Sequence, residues 1–130
     1  MPDARALGVW IGLMTTDELA QLAAAFAWTA GYINWSARPA VDAFLQSLDA
    51  LVIAEQRRRV GKQATLDDAA LDGVSGALAW LTTADVQVLL HSWTRIARNR
   101  ERDHTSSEPI QRFHTAVSDL LHVELATRLI

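Results

Sequence analysis

Leu7, Ile11 and Met14, followed by Leu19, Leu22, Phe26 and Ala30, fall three and four residues apart, the spacing that lines one side of an α-helix. The same spacing returns at Val74, Leu78 and Leu81, at Val86, Leu89, Leu90, Trp93, Ile96 and Ala97, and at Phe113, Val117, Leu120 and Leu121. No stretch alternates apolar and polar residues as a half-buried strand would. Divided at its punctuating residues, the pattern predicts six helices, over 2–13, 16–37, 39–60, 66–80, 83–102 and 109–129. The expected fold is all-α, a single compact helical-bundle domain covering residues 1–130.

The punctuation supports these bounds. Thr15 with Glu18, and Thr82 with Asp85, have capping-box spacing: the threonine oxygen accepts from an N–H at the helix start and the acid reaches back to the cap residue. Met14 with Leu19, and Leu81 with Val86, stand where a hydrophobic staple closes around such a box. Pro39 and Pro109 suit first turns, Gly61 suits the end of the third helix, and Thr65 with Asp68 suits a cap for the fourth. Gly73 and Gly76 weaken the fourth helix in isolation, so it depends on tertiary packing. The polar segment 99–109 is expected to be the main exposed loop.

The two helix starts lie 67 residues apart (82 − 15), and at that offset Leu7, Ile11 and Met14 stand opposite Val74, Leu78 and Leu81. At an offset of 69 (113 − 44), Phe44, Leu48, Leu51, Val52, Glu55 and Arg59 stand opposite Phe113, Val117, Leu120, Leu121, Glu124 and Arg128. The chain therefore reads as a tandem pseudo-repeat of a three-helix unit, over about residues 2–61 and 65–130. Its matched positions are those expected in the core.

Composition narrows the class without naming an activity. Half of the 130 residues are hydrophobic and 21% are charged, the balance of a chain that buries a core. A formal charge of −3 gives no global attraction to nucleic acid or anionic lipid and confines polyanion binding to a local patch. There is no cysteine, hence no disulfide or thiolate metal site. The early acid Asp3 does not suit a secretion signal, and the apolar run 19–33 is too short and too polar for a membrane span, so a cytoplasmic protein without membrane contact is expected. Abundant alanine, and arginine in place of all lysines but Lys62, point to a GC-rich genome.

The predicted second helix is apolar nearly all round, with small residues Ala20, Ala23, Ala24, Ala27 and Gly31 beside the aromatic residues Trp28, Tyr32 and Trp35. A helix without a polar face must be covered on every side. Either it is the central helix of the domain, or Trp28, Gly31, Tyr32 and Trp35 bind a protein partner or a second copy in a homodimer, or the tryptophans line a ligand cleft. The equivalent face of the fifth helix carries His91, Arg95, Arg98 and Arg102, spaced to hold phosphates or an acidic surface. Its bland reading is a solvated face whose arginines complement the helix dipole. The run Leu81-Thr82-Thr83-Ala84-Asp85-Val86 resembles the opening of helix-turn-helix DNA-binding domains of the excisionase and MerR-like type. That resemblance implies a short recognition helix soon after, whereas the apolar pattern runs on through Trp93 and Ile96.

Catalytic signals are absent from the sequence: there is no phosphate-cradling glycine loop, no nucleophile elbow and no His-Glu-x-x-His motif. Glu101 with His104, and Asp119 with His122, have ligand spacing but lie off the apolar stripes, and His114 reads as a core-edge histidine. Glu55 with Arg59, and Glu124 with Arg128, read as intrahelical pairs. The expected function is a non-enzymatic interaction, adaptor or regulatory protein with no metal or cofactor, acting through the second helix. The alternatives are a nucleic-acid-binding regulator using the arginine stripe, and a ligand-binding protein or enzyme with a tryptophan-lined cleft.

Overall fold

The computed structural model describes residues 4–32, 38–102 and 108–129, with side chains described for 4–24, 38–93 and 108–129. These residues form six helices and no strand: α1 (Ala4–Gly12), α2 (Thr16–Tyr32), α3 (Pro39–Val60), α4 (Asp68–Trp80), α5 (Thr83–Arg102) and α6 (Glu108–Leu129). The bounds of α3 and α5 coincide with the sequence expectation. α4 begins later, because Asp67 rather than Thr65 is its cap and accepts from the Ala69 N–H at 3.0 Å. Asp68 is the first helical residue rather than the acid of a capping box. α3 ends at Gly61, as its sequence suggests. Gly61 keeps an ordinary φ of −80°, and the left-handed residue is the next one, Lys62, at φ 54°. α5 runs unbroken from Thr83 to Arg102, so no turn and short recognition helix follow its start.

Both capping boxes form. The Thr15 hydroxyl accepts from the Glu18 N–H at 3.1 Å while the Glu18 carboxylate accepts from the Thr15 N–H at 2.8 Å. Thr82 and Asp85 make the same two bonds at 3.0 and 3.1 Å. The staple residues Met14, Leu19, Leu81 and Val86 are all buried. Each box turns the chain sharply from one helix into the next, α1 into α2 and α4 into α5.

The core is one continuous cluster. Leu7 and Ile11 of α1, Leu48, Leu51 and Val52 of α3, and Val117 and Leu121 of α6 are fully enclosed, as are Phe44 and Phe113, and Trp93 of α5 joins the same cluster. α2 packs on α3 and α5 on α6, whereas α1 packs on α6 and α4 on α3. The first helix of each half thus lies against the last helix of the other half. α1 and α4 also touch one another.

Two arginines tie the corners. Arg59, held by Glu55 at 3.0 Å, donates at 3.2 Å to the Ile11 carbonyl at the end of α1, which also accepts from the Met14 N–H at 3.1 Å. Arg128, held by Glu124 at 2.8 Å, donates to the Leu78 carbonyl at 3.2 Å and to the Leu81 carbonyl at the end of α4. Both expected intrahelical pairs are present. Each also reaches across to a neighbouring helix end, which spacing alone does not reveal.

Candidate interaction faces on two helices

α2 shows opposite faces along its described half. Leu19 and Leu22 are buried against the core and Ala23 is half-buried, while Asp17, Ala20, Gln21 and Ala24 are exposed. Trp28, Gly31 and Tyr32 follow on the same helix, with Trp28 one turn beyond Ala24. The side chains of Trp28 and Tyr32 lie outside the described residues, as does Trp35 altogether. What is on view is the helix that carries three of these four positions and the exposure of the strip leading to them.

α5 is arranged in the same way. Val86, Leu89, Leu90 and Trp93 are buried, whereas Ala84, Gln87 and His91 are exposed. Arg95, Arg98 and Arg102 follow further along the same helix. The side chains of these three arginines lie outside the described residues. His91 is thus the one member of the expected anion-binding set whose side chain is described, and it faces outward.

Three buried polar groups lie apart from these strips. Glu55, 1% exposed, accepts from Arg58 at 2.5 and 2.7 Å and from Arg59 at 3.0 Å. The Arg58 guanidinium draws its pKa below the usual glutamate value, burial opposes this, and Arg59 adds to the lowering. The carboxylate is therefore ionised and neutralised in place. Arg58 and Arg59 are consumed by this contact, and of the run Arg57-Arg58-Arg59 only Arg57 is exposed.

Asp85 is the second such group. Its carboxylate caps α5 and also takes the Arg38 guanidinium at 2.7 Å, joining the start of α5 to the start of α3. Burial pushes its pKa up, but the bonds from Arg38 and Thr82 outweigh burial and hold it below the usual aspartate value. No sequence signal points to Arg38, which lies 47 residues from its partner. His114 is buried beside Trp93, ring centres 5.2 Å apart, and its backbone carbonyl accepts from the Trp93 indole N–H at 3.0 Å. It therefore belongs to the core rather than its edge.

Two open hollows are present among the described residues. One, of about 660 Å³, follows the loop 63–68, and the other, of about 460 Å³, lies between Ile53, Gln56, Arg57, Val60 and Gly61. Neither is lined by a tryptophan. Asp119 and His122 are not enclosed by the core, Glu101 and His104 lie outside the described side chains, and no three His, Asp or Glu side chains gather as a metal-binding group among the described residues. No single helix among them is long and apolar enough to cross a membrane. No protein-family model, curated protein or solved structure matches the chain.

Proposed function

We propose that this chain is a non-enzymatic helical interaction protein, an adaptor or regulator that docks a protein partner or another copy of itself through the outer face of α2. The observation carrying this reading is the exposure of Ala20, Gln21 and Ala24 opposite the buried Leu19 and Leu22. That exposed strip disfavours the alternative of a central, fully enclosed helix, and Trp28, Gly31 and Tyr32 follow further along the same helix. Aromatic side chains set among small ones are the residue types that anchor interfaces.

The test compares wild type with Trp28→Ala and with Ala24→Arg, a bulky cation at an exposed helical position. Both variants should keep their helical content and lose association. Shielding of Trp28 from acrylamide in a monodisperse monomer, measured as the quenching difference between wild type and Trp28→Phe, would overturn the reading.

We further propose that the chain arose from a duplicated three-helix unit. Support comes from equivalent bonds: Arg59 and Arg128 reach the Ile11 and Leu78 carbonyls, which are themselves 67 residues apart (78 − 11), and two like capping boxes follow. A second functional reading, nucleic-acid binding through α5, draws on the outward face of His91 and the register of Arg95, Arg98 and Arg102. It requires an affinity that falls steeply with added salt. Undetectable binding to duplex or single strands at low salt removes it.

A further inference from the structure

Along α3, Gln46, Ala50, Ile53, Arg57 and Val60 are exposed. At the offset of 69 (115 − 46) along α6, so are Thr115, Asp119, His122, Ala126 and Leu129. Each set steps by four and three residues in turn, the spacing of about 3.5 residues that keeps one side of a helix against a second helix over several turns. Each lies opposite the buried side of its own helix, Leu48, Leu51 and Val52 on α3 and Val117, Leu120 and Leu121 on α6. The two strips therefore turn away from the core that their helices share.

An outer helix face is ordinarily polar. Here Ile53, Val60 and Leu129 stand 38%, 86% and 68% exposed. Ile53, Arg57 and Val60 also border the open hollow of about 460 Å³, a recess able to take a side chain from another molecule. Ala50 and Ala126 are small enough to let a second helix approach closely. In charge the strips are opposite. Arg57 is the sole arginine or lysine of the α3 strip, which has no acid, and Asp119 is the sole acid of the α6 strip, which has no arginine or lysine. Arg58 and Arg59 are held by Glu55 and Arg128 by Glu124, whereas Arg57 and Asp119 enter no ion pair among the described residues.

We infer that the α3 strip of one copy of this chain docks the α6 strip of another, pairing Arg57 with Asp119 of the second copy and withdrawing Ile53, Val60 and Leu129 from water. Charge selects this occupant, because strip against like strip gives Arg57 no acid and Asp119 no guanidinium. The two surfaces differ, so each docked copy still offers a free strip and the contact extends from copy to copy into a chain or a ring. It uses neither α2 nor α5 and leaves the α2 face for a protein partner.

Sedimentation velocity over a concentration series compares wild type, Arg57→Glu, Asp119→Arg, an equimolar mixture of these two, and the double variant. Both positions are exposed, and circular dichroism with thermal melts establishes that each variant is folded. Wild type self-associates, and each single variant does so about tenfold more weakly, because an attraction has become a repulsion. The mixture and the double variant regain wild-type association, since opposite charges face one another again. Val60→Ser should weaken association without altering charge, and it covers the case in which a charge reversal perturbs folding.

Single variants that associate as wild type does overturn the inference, and so does a mixture that fails to regain association. If association is lost in Trp28→Ala and Ala24→Arg but kept in Arg57→Glu, the copies pair through α2: the inference is overturned and the docking reading survives. A wild type that stays monomeric at every concentration also overturns it, and quencher access to Trp28 then decides the docking reading separately.

Discussion

Glu55 is a carboxylate enclosed by the core yet bonded to two guanidinium groups, so removing its charge leaves Arg58 and Arg59 without their acceptor. Glu55→Gln is expected to cost about 2 kcal/mol near neutral pH, the scale of hydrogen bonds to charged groups, measurable by urea unfolding. Its pKa lies below the ordinary 4.5 when folded, so the stability it supplies is complete above that value and is lost as pH falls through the folded value. Wild type and Glu55→Gln should therefore converge in stability as the medium is acidified. Asp85 combines a cap with an ion pair. Asp85→Ala should cost about 1–2 kcal/mol, read by urea unfolding.

At the scale of the helix, Gly73 and Gly76 are the weak points of α4, and nothing lies within 4 Å of a methyl group added at either. Gly73→Ala and Gly76→Ala should each stabilise the protein by about 0.5–1 kcal/mol, read as a raised thermal midpoint, because the helix gains propensity without a clash. A loss of stability in either variant would show that the glycine serves a packing role. Helices are legible in the sequence where a local rule governs them: the apolar spacing of Val86, Leu89 and Leu90, and the threonine–acid boxes, act within one or two turns. What joins distant segments is not. Arg38 with Asp85, and Arg59 with the Ile11 carbonyl, depend on three-dimensional proximity that no nearby residue announces. The cap of α4 is ambiguous in sequence because Thr65 and Asp67 both offer a suitable oxygen, and the geometry of the turn after Lys62 selects the aspartate. Of the candidate faces, the residues are legible in sequence, while the outward direction of their strips comes from the exposure of Ala24 and His91.

At the scale of the molecule, the exchange of helices between halves makes a definite statement about integrity. Lys62, the sole lysine, is exposed in the turn that joins them. A lysine-specific protease is expected to cut there once, and the two pieces should still elute together from a sizing column, because α3 on α4 and α1 on α6 cross the cut. Separation under native conditions would contradict that account of the core. The same packing sets a schedule for biosynthesis. α1 leaves the ribosome with Leu7 and Ile11 on its surface, and one of the helices it packs against, α6, has yet to be translated. Until α6 is translated the nascent chain carries an apolar helix that α3 and α4 cover only in part, and a message truncated ahead of Ile110 yields a product in which the α6 side of that helix is never concealed, a natural substrate for quality-control proteases.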